Sequence, residues 1–263
     1  MDINELVAEI ANSRKYASVS REIIERACIE ASRKYKKKKD VLSEAKKQLH
    51  IIYESFLTKN CQSVARKRIE EYTGVDMAND KSFSKELLAL HVSTKERLDS
   101  IDEMYDFVAQ YIARDCVLSD VGCGFNPLAL PFFSNKPSRY LAYEISRETV
   151  DLINLYFKRV GMDNYRAELL DAVNFSPPIH SDLLLAFKLL PLLQQQKKGR
   201  AIDFLMESSF EHAIISFPIK SLSGRNKGME SFYSSFIESN LPSQITIVER
   251  RIINNELFYV LRK

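Results

Sequence analysis

Apolar positions recur with a helical period over the first third of the chain. Leu6, Val7 and Ile10 make one short face. Ile23, Ile24, Ala27 and Cys28 make a second behind Ser20, which suits a helix cap. Val41, Leu42, Ala45, Leu49 and Ile52 make a third behind Asp40. Weaker helical patterns follow around 62–72 and 82–90. Ser93-Thr94-Lys95-Glu96 has the form of a capping box, with Glu three residues after Ser. It predicts a helix with Leu98, Ile101, Tyr105 and Val108 as its buried stripe.

From residue 116 the period changes. Cys116–Val121, Tyr140–Glu144, Tyr165–Leu169, Asp182–Phe187 and Ala213–Phe217 are short apolar runs of strand type. Arg147 to Val160 is helical and stops at Gly161. Gln244–Arg250 and Leu257–Leu261 flank Asn254-Asn255, which suits a hairpin. Strands alternating with helices predict a mostly parallel, doubly wound α/β sheet, with antiparallel edges from the final hairpin.

Composition narrows the class. The chain has 263 residues, 45% apolar and 28% charged, as expected of a globular protein. No apolar run approaches the ~20 residues a membrane helix needs. The first residues carry neither a basic nor an apolar signal region, so no secretory signal is read. Cysteines at 28, 61, 116 and 123 form no Cys-x-x-Cys pair and have no clustered histidines. Reduced, buried thiols in a cytoplasmic protein without a metal are expected. Net charge is only +3, but the stretch from Arg14 to Arg68 carries 16 Lys and Arg against 6 Asp and Glu. That asymmetry predicts a polyanionic partner for the N-terminal part.

The candidate chemistry sits at Asp120-Val121-Gly122-Cys123-Gly124-Phe125-Asn126-Pro127. In an open α/β sheet, ligands bind beyond the carboxyl ends of the strands. Gly122 and Gly124 let the backbone approach a ligand closely, and Pro127 suits the first turn of a helix. The run lacks the third glycine of dinucleotide binders, so a phosphate-free cofactor such as S-adenosylmethionine fits better than NAD. Glu144 ends the second strand, where a carboxylate can accept from both ribose hydroxyls. Asp171 follows the third strand, where a carboxylate can accept from the adenine amino group. Arg97 is a candidate two-point grip for the methionine carboxylate.

Several longer segments carry a family likeness. They are Leu49-His50, His91 to Arg97, Asp120 to Leu130, Phe187 to Leu193, Ile215 to Arg225, Lys227 to Glu230, and Asn255-Glu256-Leu257. On these the chain resembles the aminoglycoside-resistance 16S ribosomal RNA methyltransferases that modify N7 of guanine 1405. The resemblance runs nearly end to end and is strongest from 91 to 230; residues 57–85 match no family pattern. It implies a Rossmann-like class I methyltransferase domain over 91–263, preceded by an all-helical extension over 1–90 that docks on the 30S subunit. It also implies a cofactor pocket of Phe56, His91, Val92, Ser93, Arg97, Gly122, Gly124, Glu144, Asp171, Ala172, Lys188 and Gln195. Several family members have Asp where this chain has Glu144, which adds a methylene to the ribose contact.

For the substrate, the family layout implies Ser216, Phe217 and Pro218 near the entering base, with Phe217 able to stack on a flipped guanine. Met229 and Glu230 belong to the same region, and Lys220, Arg225 and Lys227 are candidates for holding the rRNA backbone. Arg33, Lys34, Lys36 and Lys37 are expected rRNA contacts within the basic extension. Guanine N7 has an in-plane lone pair and no proton, so no catalytic base is expected. The expected partner is 16S rRNA in the assembled 30S subunit, met by a monomer. The alternatives are adenine N1 methylation in the same rRNA region, or a non-catalytic ribosome-binding protein of this fold.

Overall fold

The computed structural model describes residues 1–53, 60–175, 179–219 and 228–263. Seven strands form one sheet: β1 (Val117–Val121), β2 (Arg139–Glu144), β3 (Tyr165–Leu169), β4 (His180–Phe187), β5 (Ser209–Pro218), β6 (Thr246–Ile253) and β7 (Glu256–Arg262). Their order is β3-β2-β1-β4-β5-β7-β6. The first five run parallel. The terminal hairpin adds β7 antiparallel to β5 and leaves β6 at the edge. The hairpin turns at Asn254, whose φ of 51° is a left-handed conformation that Asn tolerates. Strand order reverses between β1 and β4, so the tip of β1 opens onto the switch point where such sheets bind ligands.

The predicted helix after β2 is α8 (Arg147–Arg159), capped by the Ser146 hydroxyl and ended near Gly161 at φ 70°. Other helices escaped the periodicity. One begins Leu189-Leu190-Pro191-Leu192-Leu193, an apolar run without a readable period; its proline sits in the first turn, where the missing N–H costs little. We label the helices after β4 α9 (Leu189–Gln196) and α10 (Arg200–Glu207), and the one after β5 α11 (Met229–Asn240). The segment after the glycine turn is a 3-10 helix, Asn126–Phe132, because Pro131 inside it denies an α-helical bond.

The helical region before β1 divides by packing. α1 (Ile3–Ala11), α2 (Arg21–Lys34) and α3 (Lys38–Ile52) close around their own core of Leu6, Ile10, Ile24, Cys28, Val41 and Leu49. α4 (Cys61–Glu70), α5 (Lys81–Leu88), α6 (Val92–Lys95) and α7 (Ile101–Ala109) follow. Cys61, Ala65, Ile69, Leu87 and Leu88 belong to the core that also holds Leu118 and Tyr140 of the sheet. The change of core therefore falls between residues 53 and 61, inside the expected 1–90 extension. Two expected caps differ. Lys37, not Asp40, precedes α3, and Asp40 sits in its first turn, where a negative charge suits the helix dipole. The capping box is not formed: His91 takes the cap position of the short α6, the Ser93 hydroxyl meets His91 Nδ1 at 3.0 Å, and a 3-10 turn separates α6 from α7.

Candidate active site

The tips of β1, β2, β3 and β4 border one cleft, lined among others by Gly122, Gly124, Glu144, Asp171 and Lys188. Gly122 and Gly124 form its floor at φ 65° and 51°. A Cβ on Gly122 would stand 3.0 Å from Leu189 Cδ1, and one on Gly124 3.1 Å from His91 Cε1. Both positions therefore favour glycine by conformation, and a Cβ at either would be crowded.

The two carboxylates stand where strand position predicts. Glu144 Oε2 accepts from the Gly124 N–H at 2.9 Å, and Oε1 accepts from the Ile145 N–H at 2.7 Å. Each oxygen keeps further acceptor capacity toward the cleft. Burial raises the Glu144 carboxyl above its ordinary pKa, opposed by the amides of Gly124, Ile145 and Ser146. Asp171 Oδ1 accepts from the Val173 N–H at 3.0 Å, and Oδ2 accepts from Arg26 Nη1. Ala172 lines the cleft beside it, its carbonyl held by Arg200 Nε at 3.1 Å.

His91 and Ser93 border the opposite wall. The His91 ring packs on Phe125 at 5.0 Å. Burial, reinforced by Arg97, lowers its pKa to about 4, so it is neutral at physiological pH. Beneath the glycine turn, Asp120 accepts from Tyr140 Oη at 2.6 Å and Asn126 Nδ2 at 2.8 Å. Burial raises Asp120 to about 6 despite these bonds.

Lys188 follows β4, at the cap of α9, in the left-handed region at φ 55°. Its N–H donates to Ser216 Oγ at 3.0 Å, and its Nζ reaches Glu96 at 2.6 Å and Glu256 at 3.5 Å.

Three expected cofactor residues stand elsewhere. Arg97 does not line the cleft: its Nε and Nη2 donate to Glu256 at 2.9 and 2.8 Å, so the two-point grip is made on a carboxylate of this chain. Val92 does not line it either; the α6 turn presents His91 and Ser93 instead. Gln195 faces a neighbouring hollow with Arg33 and Lys34, while Gln196, about 100° further round the helix, enters the cleft. Phe56 lies outside the described residues, as do Lys220, Arg225 and Lys227.

On the substrate side, Ser216 is buried and its hydroxyl donates to Glu256. Phe217 is 0% exposed, stacked on Tyr233 at 4.8 Å and set edge-on to Tyr259. Its faces belong to the core, which corrects the expectation that it stacks on a flipped guanine. Pro218 borders a hollow with Lys188, Arg97 and Glu256. Met229 and Glu230 open α11, and Glu230 pairs with Arg250. Arg33, Lys34, Lys36 and Lys37 lie at the exposed corner between α2 and α3, where Lys34 meets Glu44 at 3.4 Å.

Two charged positions at this edge of the sheet had no periodic signal. Arg26 was one cation in a basic stretch, and Glu256 one acid at the start of a strand, marked only by the family likeness of Asn255-Glu256-Leu257. Their partners are 145 and 159 residues away, beyond the reach of any periodicity.

The likeness to known proteins is extensive. The model of the ribosomal RNA methyltransferase (FmrO) family matches residues 12–260. A 16S rRNA (guanine(1405)-N(7))-methyltransferase of Serratia marcescens is 32% identical, covering 100% of this chain and 99% of that protein. One from Micromonospora rosea is 29% identical, with 99% and 97% covered. The crystal structure of the 16S rRNA methyltransferase RmtF, in complex with S-adenosyl-L-homocysteine, superposes with a TM-score of 0.90 at 30% identity over 100% of this chain and 99% of that one. With the family model matched over residues 12–260 and a full-length relative at 32% identity, the chain belongs to the ribosomal RNA methyltransferase (FmrO) family.

Proposed function

We propose that this protein methylates N7 of a guanine in 16S rRNA, using S-adenosylmethionine, on the assembled 30S subunit. The observation that carries the cofactor is the cleft itself: two glycines at positive φ where a Cβ would be crowded, with Glu144 and Asp171 on the two neighbouring strand tips. Glu144 suits the ribose hydroxyls, and Asp171 with Ala172 the adenine edge. When bound, the cofactor supplies an electrophilic methyl group on a sulfonium.

The protein's own part is alignment. Guanine N7 attacks through an in-plane lone pair and releases no proton, so no side chain has to act as a base. His91, held neutral by burial, adds no charge to a cleft meant for a cation. Holding two reactants in line and excluding water contributes much of the acceleration in such displacements.

Residues 1–90 act as the docking extension in this reading, and 91–263 as the methyltransferase domain. Support comes from charge. Arg33, Lys34, Lys36 and Lys37 are exposed at one corner between α2 and α3. Such cations suit a phosphate backbone. A cytoplasmic location follows from the ribosomal substrate; among the described residues no helix is long and apolar enough to cross a membrane.

Methylation at N7 leaves a fixed positive charge on the base. An ammonium group of an aminoglycoside ~4 Å away then loses roughly 1 kcal/mol in water, or ~4 kcal/mol at an effective dielectric of ~20. Drug resistance is the expected phenotype. The test is labelled S-adenosylmethionine with purified 30S subunits, followed by cleavage at 7-methylguanine. Label at one decoding-site guanine supports the assignment; label on an adenine, or none in the rRNA, overturns it.

A further inference from the structure

We propose that Arg26, carried on α2, is a positioning residue of the cofactor site: it closes the adenine end of the cleft and holds Asp171 toward the ligand's exocyclic amino group. The proposal rests on the S-adenosylmethionine reading of the cleft.

Arg26 reaches inward from the extension between α2 residues that anchor the helix. Ile23, Ile24, Ala27 and Cys28 are buried around it, and its own side chain is only 16% exposed. Taking a guanidinium that far from water is unfavourable unless its donors are met. They are met by two different walls of the cleft. Nη1 donates to Asp171 Oδ2 beyond β3, and Nη2 donates to Gln196 Oε1 of α9 at 2.6 Å. Asn174, with its amide turned to satisfy both of its ends, offers its oxygen to Nη1 at 3.0 Å. One planar group thus bridges the β3–β4 connection and α9, a geometry lysine lacks.

The effect on Asp171 follows. Oδ1 is tied to the Val173 N–H and Oδ2 to Arg26, so the carboxylate cannot rotate. Each oxygen still has a second lone pair for a donor in the cleft. A neutral amino group is such a donor, and an acceptor already oriented binds it at lower entropic cost.

A second, independent contact places the extension on the other side of the same cleft. Val19 bridges to Ser146, two residues past Glu144. The Ser20 N–H donates to Ile145 O at 3.3 Å, and the Arg147 N–H to Ser18 O at 2.9 Å. Tyr53 Oη is 3.1 Å from Ser146 Oγ and 2.8 Å from Ser18 Oγ. The extension is therefore stitched to the ribose side and reaches across to the adenine side. By linkage, whatever shifts it on docking alters cofactor affinity, and the cofactor alters docking in return.

The test is calorimetry of the full-length protein with S-adenosyl-L-homocysteine and with S-inosyl-L-homocysteine, which carries a 6-oxo group in place of the amino donor. Wild type is expected to prefer the adenosine ligand. Arg26→Ala should weaken that ligand about tenfold, the scale of one charge-assisted hydrogen bond, and lose most of the preference. Arg26→Lys should fall between, and in an Asp171→Asn background Arg26→Ala should change little. Melting curves check that each variant is folded, with Arg26→Lys the fallback if alanine is not. Unchanged or tighter binding by the folded variants overturns the role, as does an equal loss for both ligands, which marks a passive wall. A wild type that binds neither ligand sinks the cofactor reading, and this proposal with it.

Discussion

The carboxyl edge of the sheet has two halves that handle charge differently. At the tips of β1 to β3, Glu144 and Asp171 lean on backbone N–H groups, Asp171 also on Arg26, and both keep lone pairs facing the cleft. At the tips of β4, β5 and β7, Arg97, Lys188, Glu256 and Ser216 are bonded mainly to one another, with Glu96 at the margin. The first half is charge held ready for a ligand. The second is charge compensated within the fold, which pins three strand tips and keeps Lys188 in its left-handed conformation. On the proposed function, a buried ion in one half is a binding group; in the other it is a fastening.

The largest effect should come from the fastened half. Glu256→Ala leaves the buried Arg97 guanidinium without its carboxylate, at a cost of about 3–5 kcal/mol in urea unfolding. A variant as stable as wild type would erase the distinction between the halves.

Asp120 lies below the boundary between them, and its prediction is one of pH. Its folded pKa of about 6 exceeds the ordinary 3.8, so the folded state holds the proton more tightly. That stabilisation is complete at pH values below the unfolded pKa and is lost as pH rises through the folded one. Asp120→Asn escapes the loss. Its stability relative to wild type should improve by up to ~3 kcal/mol between about pH 4 and pH 6, at 1.36 kcal/mol per pKa unit, and then level off. Thermal melts across that range decide it; a flat difference shows that Asp120 is not the group titrating.

Glu144→Gln probes the ligand-facing half. It should lower S-adenosyl-L-homocysteine affinity by about one order of magnitude, since hydrogen bonds to a charged group contribute ~1.5–3 kcal/mol. The stability change should be much smaller than for Glu256→Ala, and the reverse ranking would swap the assignments. The smallest effect per residue belongs to the exposed corner. Lys36→Glu with Lys37→Glu should weaken 30S binding, reduce its salt slope by about two, and leave cofactor binding intact. An unchanged slope removes that corner from the docking surface.

How far the chain could be read before folding follows from the range of each interaction. Strands β1 to β5 stand within a few residues of their apolar runs, because alternation and flanking turns are local. The glycine cradle and the strand-tip acids were legible for the same reason: each is named by its distance from a strand end. α9 was hidden by an apolar run without a period, and the capping box at Ser93 gave way once His91 took the cap position. Phe217 looked free to stack only because Tyr233 could not yet be seen against it.

The sequence by itself therefore determined the layers, the cofactor turn, the two carboxylates beside it and the basic character of the N-terminal helices. Tertiary structure decided which charges face the ligand and which face one another. It turned Arg97 onto Glu256, brought Arg26 across the cleft to Asp171, and divided the helical region into two cores between residues 53 and 61. The physical reason is that an ion's role depends on which counter-ion reaches it first in the folded chain, and that partner can lie more than a hundred residues away.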